Sequence, residues 1–326
     1  MGRGKPPLLV SVGISENIGQ VHKVFFIINQ KARQAKHLAG EILKHFNREN
    51  IHLEYTQYAG HAGELASQAI CNGYRQIISA GGDGSLNETL NGIIDATSSW
   101  TIQEKEQLRL GVIPIGTGND FIRSTNSPNT IVGLKQSIDK DRTQLIDVGL
   151  ATFISEKQQE CRRYFINVVD VGLGGYVSCR LKDSSRFLTP FLTYQKAIIS
   201  SLISYKNKWF SASSPNLQYQ GGTMLLAVAN GKYFGSGIGI APDANISDGK
   251  LDIVVIGDVS KWEYIRNIRD AQKGKHLNID GIIYQQVENI HIESKENHIP
   301  VDMDGEFIGY TPLEIQVKEK AIEFYM

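Results

Sequence analysis

Hydrophobic positions in the first half of the chain alternate between strand-like and helix-like periods. Continuous apolar runs of strand length occur at residues 24–28, 76–80 and 110–115, and Ile51, Leu53 and Tyr55 alternate with polar residues. Helical stripes with spacings of three and four residues lie between them, at Leu38, Ile42, Leu43 and Phe46, at Leu65, Ala66, Ala69 and Ile70, and at Leu86, Leu90, Ile93 and Ile94. Strands that alternate with helices predict a parallel sheet with helices on its faces.

The pattern changes after about Asp147. Strand-like segments now follow one another with few helices between them, at residues 167–171, 224–230, 251–256, 286–293, 300–303 and 313–317. Helical segments are predicted at residues 191–205 and 261–273, and the polar stretch 155–163 is predicted to be a surface loop. This arrangement predicts an antiparallel, sandwich-like second domain.

Composition narrows the class of protein. The 326 residues suggest about two domains, and 41% hydrophobic with 21% charged residues is ordinary for a globular protein. Equal numbers of basic and acidic residues, 34 each, argue against a nucleic-acid binder. Cys71, Cys161 and Cys179 stand too far apart for a disulfide framework or a cysteine zinc site, which favours a reducing, intracellular location. No apolar run approaches the length of a spanning helix, so we expect a soluble or peripheral protein.

The sharpest candidate site is the run Gly81-Gly82-Asp83-Gly84-Ser85, directly after a predicted strand. Glycines let the backbone approach a phosphate closely, and a helix that begins after such a turn attracts anions. Ser85 and Glu88 have the spacing of a capping box, which predicts the helix start here. Asp83 suits a Mg²⁺ ion that bridges phosphates. The alternative is a tight strand-to-helix turn in which Asp83 is merely solvated.

A second loop, Gly116-Thr117-Gly118-Asn119-Asp120, follows the next strand and offers a hydroxyl flanked by glycines, with an Asp at the start of a helix. Alone it could be only a connection. Both loops, however, follow strands of the same predicted parallel sheet, where open α/β sheets bind their ligands. Their coincidence is the stronger indication of a phosphate site.

Other motifs are absent from the sequence or ambiguous. There is no G-x-x-x-x-G-K-[ST], no G-x-G-x-x-G after a strand, no protein-kinase H-R-D or D-F-G triplet and no H-E-x-x-H. The triplet Asp304-Gly305-Glu306 lies between two strand-like segments and predicts an Asp-Gly hairpin turn. Residues 243–250 are rich in oxygen ligands but do not fit an EF-hand, and a plain polar turn is the alternative.

The segments 81–88, 114–121 and 304–306 together resemble the bacterial diacylglycerol kinase-like lipid kinases, which are related to eukaryotic diacylglycerol, sphingosine and ceramide kinases. The resemblance extends from about residue 24 to the C-terminus. G-G-D-G-[ST] is shared with NAD kinases and phosphofructokinases, whereas G-T-G-N-D points to the lipid branch. The implied fold is α/β plus all-β. A nucleotide-binding domain of the NAD kinase/phosphofructokinase type covers residues 20–147, with about 312–326 returning to it, and an antiparallel β-sandwich for the lipid substrate covers 148–311.

The resemblance implies transfer of the γ-phosphoryl group of ATP to a lipid hydroxyl, with diacylglycerol as the best candidate acceptor. Asp83 and Asp120 would organise the catalytic Mg²⁺, and Asp304 or Glu306 would be the general base. A structural Mg²⁺ near the hairpin would be held by Asn245, Asp248 and the Lys250 carbonyl. The residues implied to line ATP are Asn29, Thr56, Gly81, Gly82, Asp83, Gly84, Ser85, Leu86, Asn87, Glu88, Gly116, Thr117 and Gly118.

One segment departs from the family. After the first strand the family usually reads Asn-Pro-x-Ser-Gly, whereas this chain has Asn29-Gln30-Lys31-Ala32-Arg33, where Lys31 or Arg33 would have to supply charge in place of backbone donors. This departure keeps open a non-catalytic nucleotide- or lipid-binding protein. NAD kinase-like and sphingosine kinase-like enzymes are further alternatives.

The implied partner is a lipid at a membrane surface, contacted peripherally, with no nucleic acid and with a homodimer left open. The aromatic-rich stretch 187–210, which contains the basic residues Lys196, Lys206 and Lys208, would suit a bilayer surface or a helix packed on the core. The expected location is the cytoplasm, including the inner face of the membrane.

Overall fold

The structure is a computed structural model and describes residues 23–182, 200–277, 279–296 and 298–326. The first half contains β1 (Val24–Asn29), α1 (Ala35–His45), β2 (Ile51–Thr56), α2 (His61–Cys71), β3 (Gln76–Gly81), α3 (Asp83–Ala96), α4 (Ile102–Lys105), β4 (Arg109–Pro114), α5 (Asp120–Arg123) and α6 (Ile131–Asp139). Each strand that the periodicity predicts here is present, and each helical stripe lies on a helix.

The four strands of the first half are parallel, in the order β2–β1–β3–β4, as the alternation predicts. The side chains of β1, β3 and β4 are buried on both faces, whereas the edge strand β2 is only partly buried. Phe25, Ile27 and Ile77 pack towards α2 and α3, and Phe26 and Ile78 pack towards α1 and α6. Burial on both faces explains why β1, β3 and β4 read as continuous apolar runs. The parallel register brings the ends of β1, β3 and β4 to one edge of the sheet.

The second half is mostly antiparallel. Its elements are β5 (Thr143–Ile154), β6 (Glu160–Phe165), β7 (Val168–Gly172), α7 (Leu173–Lys182), β8 (Lys208–Ser214), β9 (Leu217–Thr223), β10 (Leu225–Ala229), β11 (Tyr233–Phe234), β12 (Ile238–Gly239), β13 (Leu251–Ile256), α8 (Lys261–Gln272), β14 (Ile282–Val287), β15 (Asn289–Ser294), β16 (Pro300–Met303) and β17 (Glu306–Tyr325). Two layers of strands enclose a common apolar core, so the predicted sandwich-like fold is confirmed.

A single mixed sheet joins the two halves. Its main path runs β14–β13–β10–β7–β16–β17–β4–β3–β1–β2, so β17 lies between them. Phe324 near the end of β17 pairs with Leu110 in β4. The long β5 pairs with β17 on both sides of the predicted domain boundary at 147/148. At that point the buried Asp147 carboxylate accepts hydrogen bonds from the backbone N–H groups of Gly249 and Lys320, which ties three segments together.

Three predicted elements need correction. Residues 286–293 are not one strand, because β14 ends at Val287 and β15 begins at Asn289, each paired with a different neighbour. The predicted loop 155–163 is shorter, since β6 begins at Glu160 and forms a hairpin with β5. The strand predicted at 313–317 is the middle of the 20-residue β17. In all three segments, paired strands carry polar side chains that face solvent. The hydrophobic periodicity alone therefore did not distinguish these strands from loops.

The helix predicted at 261–273 is confirmed as α8, which Ser260 and Glu263 begin with a capping box. The helix predicted at 191–205 lies largely outside the described residues, and residues 200–204 are helical. Among the helices that the structure describes, none combines the length and apolar character required to cross a bilayer.

Candidate active site

The two glycine-rich loops are in direct contact at the end of the parallel sheet. A Cβ atom on Gly116 would lie 2.4 Å from the Gly82 Cα, so a side chain at position 116 would separate the loops. The Gly81 carbonyl accepts hydrogen bonds from the backbone N–H groups of Ile115 and Gly116. Asn119, with a φ of 50°, closes the second loop through two hydrogen bonds between its side-chain amide and Gly116. The predicted proximity of the loops is therefore present.

Asp83 joins the two loops through α5. Its carboxylate accepts hydrogen bonds from the backbone N–H groups of Asp120 at 3.0 Å and Phe121 at 3.1 Å, the first turn of that helix. The buried Asp120 accepts a hydrogen bond on Oδ2 from the Ser236 N–H at 2.8 Å. Its Oδ1 lies 3.8 Å from the Arg123 Nε and accepts no hydrogen bond from the residues that the structure describes. Burial raises the pKa of Asp120 to about 6, and the nearby Asp83 charge adds to the shift.

The predicted capping box of Ser85 and Glu88 is wrong. The helix α3 begins two residues earlier, at Asp83, with Gly82 as its N-cap. Ser85 therefore lies inside the first turn, where its Oγ accepts a hydrogen bond of 2.9 Å from the Asn29 side-chain amide. The Glu88 carboxylate instead accepts from the backbone N–H groups of Gly60 and Ala62 at the start of α2. The motif thus couples two helices rather than capping its own.

Several residues implied to line ATP occupy different positions. Thr56 ends β2 beside Asn29 at the end of β1, next to the first glycine loop. The Leu86 side chain is buried in the core under the sheet, and the Asn87 side chain is completely buried. Neither side chain is open to a ligand, so these two residues could contact ATP only through their backbone, and the implied ATP lining stays a prediction.

The Asp304-Gly305-Glu306 triplet forms the predicted hairpin turn, with Met303 paired to Glu306 across it. Asp304 and Gly305 both have positive φ angles, 50° and 85°, as the tightest hairpin turns require.

The Asp304 carboxylate accepts four hydrogen bonds. The donors are the backbone N–H groups of Ile166, Asn167 and Val168 and the side-chain amide of Asn87, at 2.7–3.0 Å. Burial nevertheless raises the pKa of Asp304 to about 6, because desolvation outweighs these donors. The position and protonation of this carboxyl thus depend on two segments that are distant in the sequence, residues 166–168 and Asn87 in α3.

Glu306 turns the other way, towards the first turn of α3. A Cβ atom on Gly84 would lie 2.7 Å from the Glu306 Oε1, so the carboxylate rests against the helix end that attracts anions. Arg163 in β6 donates to the Glu306 Oε2 at 3.0 Å and to the Asn87 Oδ1 at 2.8 Å. Arg163 was missed in the sequence because it fell in the predicted loop, and nothing in the local pattern relates it to α3.

Two cavities meet at this turn. One, of about 330 Å³, is lined on its polar side by Asp83, Thr117, Asp120 and Asp304. Its other walls are mainly apolar and are formed by Leu173, Val177, Leu225, Phe234, Ile238 and Tyr264. The second, an open cleft of about 920 Å³, lies between α2 and α3 on one side and β5, β6 and the hairpin on the other, and Glu306 lines it. Ser178, Leu181 and Gly305 line both cavities.

Two further carboxyls line the smaller cavity and were missed in the sequence. Asp170 in β7 and Asp302 in β16 stand opposite each other in the sheet, and both are buried. Burial raises the pKa of Asp170 to about 7 and that of Asp302 well above its usual value. A signal was available, since both are single acidic residues within otherwise apolar strands.

The arrangement fits a Mg²⁺ ion that keeps water and phosphate ligands. Such an ion needs only one or two protein carboxylates, and the buried Asp120 Oδ1 beside Asp83, to which no described residue donates a hydrogen bond and whose nearest cation is Arg123 at 3.8 Å, is one such oxygen. Within the described residues, no group of three His, Cys, Asp or Glu side chains could enclose a metal by itself.

The second implied metal site stays a prediction. Asn245 accepts hydrogen bonds from Ser247, and Asp248 accepts one from the Lys250 backbone N–H. The loop lies against Asp147 and Glu319. The Oδ1 atoms of Asn245 and Asp248 thus already accept hydrogen bonds within the turn.

Comparison with known proteins identifies the family. Residues 23–151 match the diacylglycerol kinase catalytic domain, and residues 167–326 match the YegS C-terminal NAD kinase beta sandwich-like domain. The chain belongs to the bacterial diacylglycerol kinase-like lipid kinase family. The predicted family and enzyme class, an ATP-dependent lipid kinase, are thereby confirmed.

Relatives and solved structures agree with this assignment. A protein named diacylglycerol kinase from Bacillus subtilis (strain 168) is 28% identical over 282 residues, which are 86% of this chain and 87% of the relative. A second, from Staphylococcus carnosus (strain TM300), is 28% identical over 271 residues, 83% of this chain and 82% of the relative. The crystal structure of a diacylglycerol kinase from Bacillus anthracis (strain Sterne) shares the fold, with a TM-score of 0.66 at 24% identity over 93% of this chain and 96% of that one.

The fold extends to a more distant enzyme. The structure of yeast NADH kinase complexed with NADH has a TM-score of 0.52 at 9% identity, over 93% of this chain and 82% of that one. The NAD kinase-like architecture that the glycine motif suggested is therefore shared.

Proposed function

We propose that this protein transfers the γ-phosphoryl group of ATP to the hydroxyl of diacylglycerol, giving phosphatidic acid, with Mg²⁺ as the required ion. The observation that carries the proposal is a single cavity at the hairpin turn that has one polar end and otherwise apolar walls. The apolar walls suit the acyl part of a lipid, and the polar end, which includes Asp83, Thr117 and Asp120 of the two glycine loops, suits the phosphates of a nucleotide. The relatives named diacylglycerol kinase support the choice of acceptor.

The nucleotide end of the site is formed by the two glycine loops. The backbone N–H groups in the first turn of α3 suit phosphate oxygens, whereas those of Asp120 and Phe121 at the start of α5 already donate to Asp83. Mg²⁺, held at Asp83 and Asp120, would offset charge on the transferred group. Phosphoryl transfer depends chiefly on such positioning and charge compensation.

Of the two acids in the hairpin, Asp304 is the better candidate for the general base. It lines the apolar cavity together with Asp83 and Asp120, whereas Glu306 lines the cleft. A pKa of about 6 lets Asp304 be ionised at neutral pH and still accept a hydroxyl proton. We assign Glu306 a positioning role, because it holds Arg163 against the first turn of α3.

The experiment is a transfer assay with γ-labelled ATP, Mg²⁺ and separate wells of diacylglycerol, sphingosine, ceramide and NAD. We expect label in phosphatidic acid, and its loss in Asp83→Ala and Asp304→Asn. Label in the sphingosine or ceramide well alone would mean that this lipid, and not diacylglycerol, is the acceptor. Label in the NAD well alone would mean that the acceptor is not a lipid. Binding of ATP without transfer in any well would favour the non-catalytic alternative. A homodimer and a cytoplasmic location stay predictions.

A further inference from the structure

The helix α8 presents large apolar side chains to solvent. Trp262 is 77% exposed and Ile265 is 41% exposed. With Arg266 and Arg269 they occupy positions i, i+3, i+4 and i+7, which lie on one face of a helix. An exposed Trp beside an exposed Ile is an apolar patch of the kind that marks an interaction site.

A second segment extends this patch. Ile203, in the helical residues 200–204, is 73% exposed, and its carbonyl accepts a hydrogen bond of 2.6 Å from the Lys261 Nζ at the start of α8. Three exposed apolar side chains therefore come from two neighbouring segments. We call the surface formed by Ile203, Lys261, Trp262, Ile265, Arg266 and Arg269 the α8 surface.

The opposite side of α8 faces the interior. Tyr264 is 6% exposed and lines the apolar cavity that also contains Asp304. Ala271 is buried in the same cluster of side chains. One helix thus separates the α8 surface from the proposed acceptor cavity, so a lipid bound at the surface would be one helix diameter, about 10 Å, from that cavity.

The charges around the patch favour one kind of partner. The whole chain has equal numbers of basic and acidic residues, but residues 261–273 contain four basic and two acidic side chains. One of the acids, Glu263, is engaged at the helix start by Ser260. Apolar side chains including Trp, bordered by Lys and Arg, are typical of helices that lie in the interface of an anionic bilayer.

We propose that the α8 surface docks the protein on an anionic lipid bilayer, with Trp262, Ile265 and Ile203 inserted among the lipid headgroups and Lys261, Arg266 and Arg269 near their phosphates. The inference rests on the proposed function in one respect, that the acceptor taken up beside α8 is a lipid. It names the surface through which that acceptor would be reached.

The first test is co-sedimentation with vesicles of phosphatidylcholine, with and without phosphatidylglycerol. We expect binding to the phosphatidylglycerol vesicles, weakened about tenfold in the double variant Ile203→Ser with Trp262→Ser, since full burial of one such side chain is worth about a factor of ten or more and these two would be only partly buried at the bilayer interface. Arg266→Gln with Arg269→Gln should remove the dependence on phosphatidylglycerol. The matched control is Ile102→Ser, because Ile102 is 74% exposed but lies in α4 of the first domain.

A second measurement reports on Trp262 directly. Brominated phosphatidylglycerol should quench the tryptophan fluorescence of the wild type and of the double variant Trp100→Phe with Trp209→Phe, in which Trp262 is the remaining tryptophan. It should not quench the fluorescence of the single variant Trp262→Phe. Vesicle binding that is unchanged in the double serine variant would overturn the proposal. The proposal would also be overturned if the wild type sedimented as a dimer and the double serine variant as a monomer, because the α8 surface would then be an interface between two copies of this chain.

Failure of this proposal is distinguishable from failure of the proposed function. With a short-chain diacylglycerol dispersed as monomers, the double serine variant should keep the wild-type rate, whereas with vesicle-borne diacylglycerol its KM should rise about tenfold. Vesicle binding through Trp262 without any phosphate transfer would leave the docking surface intact and remove the kinase assignment. Equal loss of activity on both forms of the acceptor would contradict docking.

Discussion

The Asn87 side-chain amide donates a 2.7 Å hydrogen bond to the Asp304 carboxylate, although 217 residues separate the two in the sequence. Asn87 lies in the first helix of the glycine-loop site, and Asp304 lies in the hairpin of the second half. The same amide donates to the Tyr164 carbonyl, and the Asn87 Oδ1 accepts from Arg163. One buried amide therefore fixes the distance between the nucleotide loops and the proposed base.

Replacing Asn87 tests this link. In Asn87→Leu, the Asp304 carboxylate and the Arg163 guanidinium each lose a buried partner, so we expect the free energy of unfolding to fall by about 1–3 kcal/mol. Transfer activity should fall further than stability alone explains, because Asp304 is no longer oriented. Urea unfolding and kcat measured well below the unfolding transition check the two effects. Asn47→Ala is the control, since Asn47 is exposed and its side chain caps nothing; an equal loss in both variants would contradict the link.

The glycine at the crossing of α2 and α3 provides a second prediction. A Cβ atom on Gly92 would lie 2.1 Å from the Gly63 carbonyl oxygen and 2.7 Å from its Cα, both rigid backbone atoms. Gly92→Ala should therefore push the helices apart and cost about 1–3 kcal/mol of stability. Gly40→Ala is the matched control within α1, where nothing lies within 4 Å of the new methyl group, and it should stabilise by up to about 1 kcal/mol. Calorimetry of the two variants should give shifts of opposite sign.

The buried carboxyls predict how stability depends on pH. Burial raises the pKa of Asp120 and Asp304 to about 6 and that of Asp170 to about 7, from 3.8. The folded chain therefore holds more protons than the unfolded chain between about pH 4 and 7, and the free energy of unfolding should fall as pH rises through this window. Asp170→Asn should flatten the upper part of the curve.

Urea unfolding at a series of pH values, without Mg²⁺, measures this effect. The exposed Asp95→Asn serves as control and should leave the slope unchanged. Stability that increases with pH over the same window would show that the hydrogen bonds to these carboxyls outweigh their desolvation.

How much of this site could be predicted from the sequence depends on how far apart the site residues lie along the chain. The contact of Gly82 with Gly116 follows from two parallel strands that end at one sheet edge, and the local sequence patterns were enough to predict it. The role of Glu88 did not follow, because the same S-x-x-E spacing arises whether the helix begins before or after Ser85. The hydrogen-bond donors to Asp304 come from residues 166–168, at the start of β7, and from α3, which only the tertiary pairing of β7 with β16 brings together. Arg163 was missed for the same reason.

The pH dependence of the rate separates the two acids of the hairpin. If Asp304 accepts the hydroxyl proton, kcat/KM should be constant near neutral pH and fall tenfold per pH unit below about 6, because the carboxyl must be ionised. Asp304→Asn should reduce kcat by about a factor of 100 or more, the usual contribution of a general base, without raising the KM for ATP. Glu306→Gln should instead raise the KM for ATP and keep the acid limb, since Glu306 positions Arg163 beside the first turn of α3. If the fall of kcat/KM at acid pH disappeared only in Glu306→Gln, the general base would be Glu306 and not Asp304.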